Sequence, residues 1–272
     1  MAEDDDEKQE AQQRTAPTGA VVYHAICTEG ESELERPSAA LFWSALAAGL
    51  SMGFSFITTA LLHAHTTDGA KWHPLVTALG YPIGFIIVVL GRQQLFTENT
   101  LTVVLPFLSR PRLKTFANVA RVWGVVLAAN VIGAIVVAYV LARSEAVNGE
   151  VWEAMRSGAR HAYQASFGVT LLRGIFAGWL IALMVWLLPF AESARVWVIG
   201  LLTYVVGLAH FSHIIAGSVD AAFLVFAGER SWGDFAGAFF APTLIGNIIG
   251  GVLLVAVINH AQVTAGGGGQ DA

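Results

Sequence analysis

The stretch Gly91-Arg92-Gln93-Gln94-Leu95-Phe96-Thr97-Glu98-Asn99 interrupts an apolar run that would otherwise cross a membrane in one piece. A second long apolar run is interrupted around His210-Phe211-Ser212-His213. Irregular polar backbone is tolerated at membrane depth only where protein buries it or a wet cavity lies beside it. Two such breaks in one chain therefore predict a path for a small solute.

Working outward, apolar stretches long enough for a hydrocarbon core of about 30 Å lie near 39–62, 75–107, 117–142, 167–190, 196–227 and 236–259. This predicts an all-α membrane protein with six transmembrane helices, the second and fifth broken. Composition agrees: 55% of residues are hydrophobic and 13% charged, about half the charged fraction of a soluble domain. Residues 1–36 hold ten of the twenty acids and only three of the fifteen bases. Asp4-Asp5-Asp6-Glu7 and the alternating Glu29, Glu31, Glu33 and Glu35 therefore read as an acidic, disordered cytoplasmic tail. Residues 37–260 form the expected transport domain, and 261–272 a flexible Gly-rich tail.

No basic segment followed by a short apolar core opens the sequence, so the first crossing is expected to direct insertion itself. Cys27 is the single cysteine, which excludes an internal disulfide and a thiolate metal cluster. Arg110, Arg112 and Lys114 crowd one connection, which the positive-inside tendency places in the cytoplasm. An even number of crossings then puts both termini there, in a multi-pass protein of the plasma (cell inner) membrane. Arg143, Arg156 and Arg160 would lie outside.

Small residues recur four apart at Ala45, Gly49 and Gly53, and again at Gly174, Gly178 and Ala182, a spacing that lets helix backbones approach closely. Asn130-Val131-Ile132-Gly133-Ala134 resembles Asn247-Ile248-Ile249-Gly250-Gly251 at an offset of 117, and Thr97 precedes His213 by 116. The chain thus reads as two halves of three crossings. An odd number per half gives an inverted repeat whose broken helices meet near the midplane. Asn130 and Asn247, at matching places, are expected to hold unwound backbone.

Gly84 with the apolar stretch to Gly91, Leu95-Phe96-Thr97, Phe211-Ser212-His213-Ile214-Ile215-Ala216 and Pro242-Thr243-Leu244-Ile245-Gly246-Asn247-Ile248-Ile249-Gly250-Gly251 together resemble the formate/nitrite transporter family across roughly residues 38–260. The resemblance implies aquaporin-like six-helix protomers assembled as homopentamers, each with its own pore for formate, nitrite or similar monovalent anions. Matched position by position, it implies pore roles for His213 and Thr97, with Leu95, Phe96, Phe85, Tyr81, Val206 and Asn247 at or beside the constrictions. The lysine, asparagine and glutamate that the family commonly carries near the histidine are matched here by Ala162, Gly178 and Ser212. Their joint absence points to a remodelled network, for which Arg92, Glu98, His210 and Asp220 are the candidate replacements.

A bare anion entering an apolar constriction loses several kcal/mol of solvation. Protonating an acid of pKa near 4 at neutral pH costs only about 4 kcal/mol, so neutralisation competes well with bare transfer. His213 can donate a hydrogen bond to such an anion or share a proton with it. Thr97 is placed to cap the second half-helix, whose positive end favours anions.

Arg173, Arg156 and Arg160 read either as snorkelling to head groups or as an anion-attracting vestibule. Soluble-enzyme motifs are missing, and neither a cofactor, a metal nor nucleic acid is expected; lipids and small anions are the expected partners. Two rival readings remain: an aquaporin-like channel for neutral solutes, which would ordinarily carry paired Asn-Pro-Ala motifs, and an intramembrane metal enzyme built on His210-x-x-His213 with Asp220.

Overall fold

A computed structural model describes residues 16–67 and 69–266. Among them the chain is helical throughout, without strands. Five helical stretches are long and apolar enough to cross a membrane: α2 (Ser38–Ala64), α3 (His73–Leu90), α5 (Leu113–Arg143), α7 (Phe167–Phe190) and α10 (Trp232–Ala265). The fifth expected crossing corresponds to two shorter helices, α8 (Arg195–Leu208) and α9 (Ala216–Phe226). The second crossing resumes after its break only as the short α4 (Val104–Ser109). α6 (Gly149–Ala159) begins at Asn148, whose side chain accepts the Val151 N–H at 2.9 Å.

The framework consists of two tight helix crossings, α2 on α5 and α7 on α10. At each, glycine lets backbones touch. A methyl group on Gly49 would collide with the Asn130 backbone, and one on Gly178 with the Asn247 backbone. The small-residue spacing seen in the sequence is thus a packing seam. It also places each asparagine directly over a break. Two π-helical stretches, Phe235–Phe240 and Ile249–Val257, widen α10 where Phe239 meets Gly217 and Gly251 meets Thr100, residues just beyond the two breaks.

The expected disordered tail is corrected for the residues described. Gly19–Glu35 forms a helix, α1, started by Thr18 and stopped before Pro37. Val22, Tyr23, Ile26, Gly30 and Leu34 make a buried stripe at helical spacing, while the alternating glutamates occupy the wetter face. Gly30 lies against the Thr102 carbonyl, so no larger residue fits there. The Tyr23 hydroxyl bonds Ser109 Oγ at 2.6 Å and His260 Nδ1 at 2.7 Å, and burial pushes its phenol up to about 12. This ties α1, the end of α4 and the C-terminal helix into one layer. Helix also continues to Ala265, into the segment expected to be a flexible tail. Asp4 to Glu7 and the last six residues lie outside the described residues.

The Gly178 contact makes a direct prediction. Gly178→Val should destabilise the protein by about 1–3 kcal/mol or more, as overpacking does. Gly124→Val, where nothing lies within 4 Å of the added carbon, should be neutral. Thermal unfolding in detergent, followed by size exclusion, separates the two.

Candidate pore site

The breaks are built alike. In the first, the N–H groups of Gly91, Arg92 and Gln93 reach the carbonyls of Ile87, Val89 and Val88; in the second, those of Ala209, His210 and Phe211 reach Val205, Gly207 and Val206. Each partner is shifted by 118 positions. Arg92 and His210, equivalent in this register, both have left-handed backbones, with φ of 53° and 51°, an uncommon conformation for residues with a Cβ.

Each break is then clamped by one asparagine. Asn130 accepts the Phe96 N–H at 2.9 Å and donates to the carbonyls of Ala45 and Gln94 at 2.7 and 2.9 Å. Asn247 accepts the Ile214 N–H at 2.9 Å and donates to Gly174 and Ser212 at 2.9 and 2.8 Å. Every polar atom of both amides is committed to backbone, so Asn247 is a clamp rather than a pore contact.

Between the clamps, Thr97 Oγ1 and His213 Nε2 lie 2.8 Å apart, with both residues essentially buried. They are not equivalent positions, because the backbone register pairs His213 with Leu95. Two non-matching steps of the breaks thus bring a hydroxyl and an imidazole together. The Ile215 and Ala216 N–H groups point at His213 Nδ1, at 3.3 and 3.2 Å. That nitrogen is therefore the acceptor, the ring proton sits on Nε2, and Nε2–H donates to Thr97, a tautomer assigned from the bonding pattern.

The capping role expected of Thr97 belongs instead to His213, which receives the first free N–H groups of α9. After Thr97 the chain continues in hydrogen-bonded turns and becomes helical only at Val104, so Thr97 caps nothing.

One cavity reaches His213 of this pair, and a second reaches Gln94 and Glu98 on either side of Thr97 in the chain. The first, about 300 Å³, is lined by Tyr81, Val206 and His213 of the expected pore residues, together with Ala162, Ser212 and the accessory candidates His210 and Asp220. The second, about 240 Å³, lies under α1 and is lined by the other two accessory candidates, Arg92 and Glu98, with Glu29, Glu33 and Arg195. The four candidates thus divide between two chambers and form no single replacement network.

Leu95, Phe96 and Phe85 line neither cavity and are buried at the partition. Phe85 sets its ring edge-on to His213 at 5.0 Å, and Phe96 packs on Trp123 at 5.7 Å. Gly178 faces the helix seam and not a cavity, so of the three positions only Ala162 and Ser212 line a cavity.

Several charges in and near the breaks are paired. Arg92 reaches Glu29 at 2.7 Å. Arg156 and Arg160 both hold Glu229, at 3.1 and 2.9 Å, and Arg156 also holds Glu153. Hydrogen bonds from Arg160 keep the Glu229 carboxyl below the usual glutamate range. These two arginines join α6 to the end of α9, in place of the snorkelling or anion-attracting roles expected of them. His210 and His213 serve different partners, a stacked His161 ring and Thr97 respectively, which does not fit a shared metal. Sequence reading missed His161, His63 and His73 in the first cavity and Glu29 and Glu33 in the second. Only the last two carried a signal, the apolar stripe opposite them on α1.

The model of the family described as formate/nitrite transporter matches residues 20–261. The chain belongs to that family. It is a family of transporters and channels, not of enzymes. The chain is 41% identical over 248 residues to the inner membrane protein YfdC of Escherichia coli strain K12, covering 91% of this chain and 80% of that one. It is 30% identical over 195 residues to the formate channel BtFdhC of Bacillus thuringiensis, covering 66% and 71%.

Among solved structures, a pentameric formate channel with formate bound superposes with a TM-score of 0.70 at 21% identity, covering 84% of this transporter and 98% of that chain. An ion channel of the same family superposes at 0.75 and 17% identity, covering 89% and 98%. The fold is therefore that of these channels, and the family match, from residue 20, begins inside α1.

The clamps lead to a second prediction. Asn130→Leu and Asn247→Leu each orphan a buried N–H and two buried carbonyls. At about 1–3 kcal/mol per unsatisfied group, either variant should lose most of its folded yield, whereas Asn259→Leu, whose amide meets only Val255 O, should not. Expression as a monodisperse membrane protein is the readout.

Proposed function

We propose that each protomer conducts a small monovalent anion, formate or nitrite by preference, from the first cavity past the Thr97–His213 pair into the second. The observation that carries this reading is the buried 2.8 Å hydrogen bond between Thr97 and His213, made by two helix breaks that each line a cavity. Membership of a formate/nitrite transporter family supports the substrate class.

The chemistry follows from the tautomer. Nε2–H of His213 is donated to Thr97 Oγ1, which leaves the threonine hydroxyl proton free for the solute. An anion shedding water at the partition thus meets a fixed donor polarised by the imidazole behind it. Such a donor acts strongly where water is excluded. The apolar walls at Phe85 and Leu95 make a bare charge costly there, favouring transfer of the anion with a proton taken from the cavity. His213 is the hydrogen-bond partner in that exchange, and flux rises as pH falls.

The protein crosses the membrane six times in two inverted halves, the second and fifth crossings broken. The repeated hydrogen-bond register of the breaks and the two asparagine clamps support this arrangement. Both termini lie on the cytoplasmic side of the plasma membrane, in line with Arg110, Arg112 and Lys114 at the end of the molecule covered by α1. The assembly is a homopentamer, as in the channel whose fold this chain shares. Residues 38–260 carry the transport path and α1 roofs its second cavity.

Thr97→Val keeps the shape and removes the hydroxyl. Its formate uptake into proteoliposomes should fall at least about tenfold, equivalent to ~1.4 kcal/mol on the barrier. His213→Asn retains an acceptor near the start of α9 and loses the Nε2 donor, so it should fold and transport equally poorly. If both variants take up formate like the wild type, with the same pH profile, the pair is structural and the mechanism is wrong.

A further inference from the structure

The first cavity contains a second pair of polar rings. His161, on the short turn Arg160–Tyr163 that follows α6, lies face to face with His210, ring centroids 4.4 Å apart and planes 1° from parallel. Both line the cavity, and no lysine or arginine does. The basic side chains in its wall are therefore imidazoles, the side chains whose charge ordinarily changes between about pH 5 and 8.

We propose that the stacked His161–His210 pair is a second anion site at the outer cavity, holding a small monovalent oxyanion when the pair carries a proton and releasing it when both rings are neutral. This rests on the transport reading and adds to it a waiting position ahead of the partition.

Three observations support the site. The His161 Nδ1 lies 3.0 Å from the Gly158 carbonyl, which requires a proton on Nδ1 and leaves Nε2 to take up the additional one. Two imidazolium rings at this separation repel one another, so the pair holds one charge and suits a singly charged ligand. His210 occupies the left-handed kink equivalent to Arg92, so each break presents a basic side chain to its own cavity from the same strained position. At the other kink the base is permanently charged and tied to Glu29; here it is titratable and tied to another imidazole.

The surrounding charges are few. Asp220 and Tyr81 face the cavity from α9 and from the middle of the α3 span, and Arg173 of α7 is close enough to act on His210. Arg160, beside His161, is engaged by Glu229, together with Arg156. His63 and His73 contact one another edge to face, and His213 is committed to Thr97 and α9. The stacked pair is thus the cluster of bases at the break itself, on the cavity that Asp220 also lines.

Nitrate is ionised throughout this pH range, so its binding reports the protein's protonation and not its own. In full-length protein in proteoliposomes, the nitrate concentration that halves formate uptake should be at least about tenfold lower at pH 5.5 than at pH 7.5. His161→Gln with His210→Asn, the asparagine chosen because it tolerates a left-handed backbone, should flatten that ratio to within about twofold. His161→Gln alone leaves the kink untouched and should give most of the effect.

A wild-type ratio retained in the double variant, or no pH effect in the wild type, overturns the site. Thermal unfolding of purified protein supplies a readout independent of flux: nitrate should raise the wild-type midpoint at pH 5.5 and leave that of the variant unchanged. Vesicles that take up no formate defeat the transport reading, and the melt then decides the anion site by itself.

Discussion

Unpaired peptide groups in hydrocarbon are the constraint on which this molecule depends. Two strips of chain leave the helical hydrogen-bond ladder deep inside the protein, and each would expose carbonyls and N–H groups at a cost of several kcal/mol apiece. Asn130 and Asn247 remove that cost by offering one acceptor and two donors where the unwound backbone needs them. The glycine seams at Gly49 and Gly178 follow from the same need, since only a close helix crossing brings the amides within reach. Core packing, the position of the breaks and the meeting of Thr97 with His213 are one linked solution.

Much of this was legible in the sequence, because apolar length and its interruption are direct consequences of bilayer physics. The two breaks and the asparagine repeat could be read from residue order, and the family resemblance singled out Thr97 and His213. The exact register could not be read. Asparagines 117 apart act on breaks 118 apart, and a one-residue difference hides which side chains meet. The cap expected of Thr97 where the second crossing restarts is not formed, and the His213 cap at α9 went unread, since imidazole capping from three residues ahead leaves no pattern as recognisable as a threonine before a helix. The α1 stripe was overlooked because alternating glutamates dominated the composition, although Val22, Ile26, Gly30 and Leu34 kept a helical spacing beneath them.

The two chambers differ in chemical character, and neither could be assembled from sequence, because their walls come from segments far apart. The first gathers histidines from α2, α3, the turn after α6 and the second break. The second gathers carboxylates from α1 and guanidinium groups from the first break and from α8. One mouth therefore draws its basic side chains from imidazoles, while the other places guanidinium groups beside carboxylates, Arg92 being paired with Glu29. This asymmetry is superimposed on a partition whose two halves are built almost identically.

The roof that α1 places over the second chamber has a practical corollary. Its fastening runs from Glu29 to the Arg92 kink and from Tyr23 to Ser109 and His260, so the first and last of the described helices are tied together beside the same opening. A reporter fused close to either end, or a shortened version beginning at the first long apolar helix, alters the aperture that its builder intended to leave alone.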